Sequence, residues 1–226
     1  MFDDSASAAV SLDRGASPSA LLDNRQLTID PSILYLGTPV VLLSTRNVDG
    51  TANLAPISSA WWLGKTAVIG MGTRSHTVAN LRREGECVLN LPSDDLVTKV
   101  DRLALTTGSD PVPSYKQIMD FRHVYDKFEH AGLTELPSGV VSPPRVAECP
   151  VQLEGKVINI REVGEPEDHS AAIEIKVVRT HVHESILTSG HRHHIDPDKW
   201  RPLIMSFLEF YGLGERVHPS RLAEVF

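Results

Sequence analysis

Apolar and polar positions alternate along the chain in short runs, which predicts strands with a few helical interruptions. Residues 39–46 are β-branched and apolar and lead into Asn47-Val-Asp-Gly50. Asp-Gly marks a hairpin, because both residues tolerate positive φ. The return strand is predicted over residues 51–58, followed by adjacent Trp61 and Trp62 and a turn at Gly64 and Lys65. A third strand over 66–71 ends at Gly72, and there the period changes. Residues 75–85 place Val78 and Leu81 on one helical face, with Thr73 or Ser75 available as N-cap and Gly85 as a left-handed stop. A strand returns over 86–91. Helices are expected over 95–106 and 114–130, separated by a Gly-Ser-Asp-Pro-Val-Pro loop. Two long strands follow, 146–163 and 171–187, joined by an exposed turn at 164–169, with short helical pieces near 202–211 and 219–226. Six strands, mostly joined by hairpins with one early helix, predict a mainly β fold: an antiparallel sheet or barrel. A doubly wound fold would alternate strand and helix throughout.

Composition narrows the function classes. A chain of 226 residues suits one domain, expected over 26–226, preceded by a mobile Asp-, Ser- and Ala-rich tail over 1–25. Acidic residues outnumber basic ones 29 to 22, a net charge of −7, which argues against a nucleic-acid partner held through its phosphates. A small phosphorylated ligand needs only a local nest of N–H groups and one or two cations, so it stays compatible. The two cysteines, Cys87 and Cys149, are too few for a disulfide framework. No basic start and apolar core of a signal peptide is present, and runs such as residues 40–43 are too short to span a bilayer. A cytoplasmic protein without membrane partners is therefore expected.

The stretch Gly70-Met-Gly-Thr-Arg-Ser-His-Thr77 lies between a predicted strand and a helix start. A helix N-terminus presents unpaired N–H groups and a partial positive charge. Here the hydroxyls of Thr73, Ser75 and Thr77, the guanidinium of Arg74 and the imidazole of His76 are added, a set suited to phosphate. The plainer alternative is an N-cap beside a surface arginine. Gly70-x-Gly72, with Asp94 downstream, is part of a dinucleotide-binding fingerprint, but Ser75 stands at the third glycine position and an antiparallel hairpin precedes the motif. A second feature is Asn53-Leu-Ala-Pro-Ile-Ser58, where proline in a strand frees backbone groups that can read the edge of a planar ligand. Five histidines, His181, His183, His191, His193 and His194, cluster without a carboxylate or cysteine at a specific metal-site spacing, so no metal is expected. No Ser-His-Asp or Cys-His arrangement is evident, and no catalytic side chain is assigned.

Seven motifs in order carry a resemblance: residues 39–45, Asp49-Gly50, Asn53-Leu-Ala-Pro-Ile-Ser58, Arg74-Ser-His-Thr-x-x-Asn80, Cys87-Val-Leu-Asn-Leu91, Asp126-Lys-Phe-Glu-x-Ala-Gly132 and Pro143-Pro-Arg-Val-Ala-Glu148. Over roughly residues 30 to 215 the chain resembles the flavin reductase-like family of FMN-binding split barrels. The resemblance implies a six-stranded, Greek-key-like split β-barrel that dimerises and holds FMN at or near the subunit interface. By position, Asn53, Leu54, Ala55, Pro56, Ser58 and Ser59 would line the isoalloxazine ring. Thr73, Arg74, Ser75, His76 and Thr77 would hold the 5′-phosphate, with Asn80 and Asn90 close by, and Lys127 sits in a motif that often approaches the flavin. The activity implied is an NAD(P)H:flavin oxidoreductase in which hydride passes from nicotinamide to flavin N5 and on to free flavin, an oxygenase partner or a small molecule. Alternatives are a flavin-binding electron carrier or sensor, or a split barrel that takes haem or a B6 vitamer. The chain departs from the family after Ser58, where a longer Asp-Pro-Pro turn is common.

Overall fold

The computed structural model of the protein describes residues 26–224; the predicted tail over 1–25 lies outside them. Residues 26–34 belong to a separate short unit without regular secondary structure, and the unit described below begins at Tyr35. Its elements are β1 (Leu36–Pro39), β2 (Val41–Arg46), β3 (Ala52–Ile57), β4 (Ala60–Leu63), β5 (Thr66–Gly72), α1 (His76–Glu84), β6 (Glu86–Leu91), α2 (Val97–Asp101), β7 (Thr106–Thr107), α3 (Ser114–Gln117), β8 (Arg122–His123), α4 (Lys127–Ala131), β9 (Glu135–Leu136), β10 (Arg145–Val146), β11 (Val151–Val163), β12 (Ser170–Val182), β13 (Leu203–Ser206) and β14 (Glu209–Gly212).

Seven strands form one antiparallel sheet in the order β3-β2-β6-β11-β12-β5-β4. The strand beyond the six counted in the sequence is β4, which pairs with β5 and carries the two tryptophans. Trp62 packs against the core, whereas Trp61, on the opposite face, is 56% exposed. The central strands are buried on both faces, which is why residues 40–43 read as an unbroken apolar run. Val41 and Leu43 enter one hydrophobic cluster with Ile69, Leu89 and Ile173, while Val40 and Leu42 enter a second with Leu54, Phe128 and Leu203. Helix α1 closes the first cluster through Val78 and Leu81. Its ends follow the sequence closely: the Ser75 hydroxyl accepts from the Val78 N–H, and Gly85 adopts φ 66° as the left-handed stop.

Two expectations are corrected. The middle of the chain is not two long helices. Between α2 and α4 lie Leu105 and Asp120 at positive φ, Pro111 and Pro113, and the parallel pair β7–β8. Prolines and left-handed residues interrupt the helical ladder, leaving α2, α3 and α4 as single turns. Residues 202–211 form the hairpin β13–β14 rather than a helical piece. Leu203 and Met205, two apart, face the second cluster, and Phe207 and Leu208 at positive φ make the tight turn. The expected exposed turn at 164–169 is present, built on a short 3-10 segment over Pro166–Asp168.

The 137–141 loop is fastened to the sheet by Glu154, whose side chain is fully buried. Its carboxylate accepts from the backbone N–H groups of Gly139, Val140 and Val141 at 2.9, 2.6 and 3.1 Å, and from His181 Nε2 at 2.5 Å. Burial alone would raise its pKa, but the Gly139 N–H, His181 and the Val140 N–H outweigh it and hold the carboxyl below the usual range. His181 thus serves a carboxylate and His183 bonds to Ser185. Among the described residues no three His, Cys, Asp or Glu side chains converge as a metal site. Nor is any helix among them long and apolar enough to cross a membrane.

Candidate functional site

Strand β3 and the first turn of α1 meet through a polar network. Asn53, 2% exposed, donates from Nδ2 to Thr45 Oγ1 at 3.2 Å and to Thr77 Oγ1 at 3.1 Å. Asn80 donates to Thr45 Oγ1 at 3.1 Å and to Asn47 Oδ1 at 3.0 Å, and receives Arg83 at 3.0 Å. His76 Nε2 lies 2.8 Å from the same Asn47 Oδ1. Because Asn47 Oδ1 is an acceptor, the His76 proton sits on Nε2 and leaves Nδ1 with the lone pair in the neutral ring. Burial lowers the His76 pKa, helped by the charges of Lys127, Arg83, Lys116 and His123. One atom of the network, Asn53 Oδ1, is buried without a partner among the described residues. An unmet acceptor of this kind costs about 1–3 kcal/mol.

A cavity of about 310 Å3 opens beside this network. Ser75, His76 and Thr77 form one wall, Ala55 and Pro56 another, and Met71 and Phe121 add apolar surface. Two ammonium groups line it. Lys127, at the start of α4, is only 4% exposed, and no carboxylate pairs with it among the described residues. Burial, and then the nearby Lys116 charge, pull its pKa down to about 8. Lys116 donates to Thr107 Oγ1 at 3.1 Å, lies 5.2 Å from the Phe121 ring centre, and is itself lowered by burial. The cavity is therefore cationic, bounded by the first turn of a nine-residue helix, and lined by no carboxylate. Such a chamber suits an anionic group attached to a flat apolar body.

The structure brings six of the sequence-predicted residues to this cavity: Ala55, Pro56, Ser75, His76, Thr77 and Lys127. Asn53 and His76 also line a neighbouring chamber. Ser58 lies with Pro56 at a small apolar hollow beside Val40 and Phe210. The Ser59 carbonyl accepts the Gly70 N–H, and the Thr73 N–H donates to the His169 carbonyl. Arg74 is exposed, with its guanidinium 4.6 Å from the Tyr115 ring centre and its carbonyl accepting from the Tyr115 hydroxyl. Asn80 supports the network from behind. Leu54 is fully buried in the second cluster. Asn90 is consumed internally, donating to the Leu42, Ser44 and Val88 oxygens and accepting from the Val146 N–H. The sequence reading missed Lys116, Thr107, Gly108 and Phe121, all supplied by the irregular 102–125 segment. An aromatic and a lysine spaced among prolines were the only local signal there.

Comparison with known proteins agrees with this architecture. A family model described as flavin reductase like domain matches residues 34–211. A protein of Bacillus subtilis (strain 168), YdfE, is 42% identical over 189 residues, spanning 84% of this chain and 90% of its own. The fold is that of split-barrel flavin reductases. Flavoredoxin of Desulfovibrio vulgaris (Miyazaki F) superposes with a TM-score of 0.71 at 22% identity, over 88% of this chain and 99% of its own. Nitrilotriacetate monooxygenase component B from Bacillus cereus gives 0.69 at 22% identity, over 87% and 100%.

Proposed function

The chain belongs to the flavin reductase-like domain family, and from that membership we propose that it is an FMN-binding oxidoreductase taking reducing equivalents from NADH or NADPH. The observation that carries the cofactor reading is Lys127: an ammonium 4% exposed, without a paired carboxylate among the described residues, facing a cavity beside the first turn of α1. A buried cation without a counter-ion implies an anionic ligand that supplies one.

The residues fit FMN by their chemistry. Ser75, Thr77 and the first N–H groups of α1, with Lys127 and Lys116, would hold the phosphate, and Arg74 would approach it from the rim. Ala55, Pro56 and Phe121 offer flat apolar surface for the ring system. When bound, the flavin supplies the two-electron redox chemistry. The chain's part is positional. The Thr45–Asn53–Thr77 network fixes β3 against α1, and Asn47 fixes the His76 ring. Phe121 and Met71 present apolar surface to the cavity. No side chain need act as nucleophile.

We further propose a homodimer through the sheet face that carries the exposed Trp61 and Leu63, with transfer onward to a small molecule, a free flavin or an oxygenase component. The last is supported by the similarity to a monooxygenase component B. Anaerobic mixing of the FMN-loaded protein with NADH and NADPH tests the enzyme reading. Rapid bleaching of the visible flavin band is expected with at least one of them. A flavin that stays oxidised with both would leave an electron carrier or sensor instead.

A further inference from the structure

A second chamber of about 580 Å3 adjoins the cationic cavity, sharing His76 and Gly108 with it. The wall between them is thin. A Cβ on Gly108 would stand 2.6 Å from His76 Cδ2 and 2.9 Å from Asn53 Oδ1, so only glycine lets the backbone pass so close. The chemistry reverses across this wall. Two lysines and no carboxylate line the first chamber, whereas Asp49 and Asp110 and no lysine or arginine line the second.

The second chamber also carries two unmet polar atoms. Asn53 Oδ1, an acceptor, and His123 Nδ1, an acceptor when the neutral ring carries its proton on Nε2, belong to residues that line it, and both atoms are buried without a partner among the described residues. Asp49 is held ionised at the rim by Thr51, through its hydroxyl at 2.6 Å and its N–H at 3.0 Å, and by the Tyr125 hydroxyl at 3.2 Å. Val48, Val124 and the Tyr125 ring provide flat apolar contact. Carboxylates and free acceptors on apolar walls call for a ligand that brings donors and no negative charge.

We infer that this chamber is a distinct binding site for a small planar molecule, neutral or cationic, that presents N–H donors, such as an aromatic amide or amidine. The site goes beyond the cofactor reading, because its selectivity comes from Asp49, His123 and Asn53 rather than from the lysines.

The test uses three probes of one shape: benzamidine, benzamide and benzoate, titrated into the full chain with and without FMN and followed by ligand-observed NMR. The amidine and the amide are expected to bind at least roughly tenfold more tightly than benzoate. His123→Phe and Asp49→Asn should each erode that preference, while the FMN titration of both variants stays as in the parent. Benzoate binding as well as benzamide, or none of the three binding, overturns the proposal. So does FMN displacing the amide competitively, because the chamber would then be part of the cofactor's own site. An amide that binds a chain unable to take FMN would uphold this site and defeat the flavin reading, so the two fail separately.

Discussion

Lys127→Met separates what the lysine costs the fold from what it gives the ligand. Burial and the neighbouring Lys116 charge lower the Lys127 pKa from 10.5 to about 8. At about 1.4 kcal/mol for each tenfold loss of proton affinity, keeping this ammonium charged costs the ligand-free fold about 3 kcal/mol at neutral pH. The sign follows from the lowered folded value. The penalty is full below about pH 8 and fades as pH rises from there toward the unfolded value of 10.5. Methionine has similar length and no charge, so the ligand-free variant should gain roughly 1–3 kcal/mol in urea unfolding at pH 7. The same change removes a charge-assisted contact to the phosphate worth about 1.5–3 kcal/mol, so FMN affinity should fall roughly 10- to 100-fold in a flavin fluorescence titration. Opposite signs in the two assays are the signature. A ligand-free variant destabilised by more than about 1 kcal/mol, or one with unchanged FMN affinity, refutes the reasoning.

Other outcomes follow from the same geometry. In the parent protein FMN affinity should decline above about pH 8, by up to roughly tenfold per pH unit, as the Lys127 charge is lost; a flat profile from pH 7 to 10 by equilibrium dialysis contradicts this. Arg74→Ala should weaken FMN binding roughly tenfold while leaving the urea midpoint within about 0.5 kcal/mol, since Arg74 is exposed and rests on Tyr115. Glu154→Gln should cost about 2–4 kcal/mol, because an amide cannot accept from three backbone N–H groups and His181 as the carboxylate does. Its carboxyl is held low in the fold, so this stability is present above the ordinary carboxylate pKa and lost as pH falls through the folded value. Acid unfolding of the variant should accordingly be less steep than that of the parent.

What could be read from the sequence was what depends on neighbours in the chain. The Ser75 cap, the α1 stripe of Val78 and Leu81 and the Gly85 stop are local chemistry, and they stand where the pattern put them. The Asp49-Gly50 turn and the apolar β2 run are local as well, and together they set β3 against α1. Strand parity accounts for Leu54: Asn53 and Ala55 face the chambers, so the residue between them faces the second core. The 102–125 segment read as parts of two helices, but its course is set by prolines, left-handed residues and tertiary contacts that no local pattern shows. Lys116 reaches Thr107, Tyr115 reaches Arg74 and Tyr125 reaches Asp49. Asn90 shows the converse. It belongs to a family motif, yet its side chain is spent tying β2 and β6 of the main sheet to the neighbouring β10.

The cofactor reading requires the cationic chamber to bind a phosphate attached to a flat ring system. Parallel titrations of the full chain with FMN and with riboflavin, which lacks the phosphate, test it most directly. FMN is expected to bind at least roughly 30-fold tighter at pH 7, the worth of charge-assisted contacts to Lys127, Lys116 and the first turn of α1. Equal affinities for the two would contradict it.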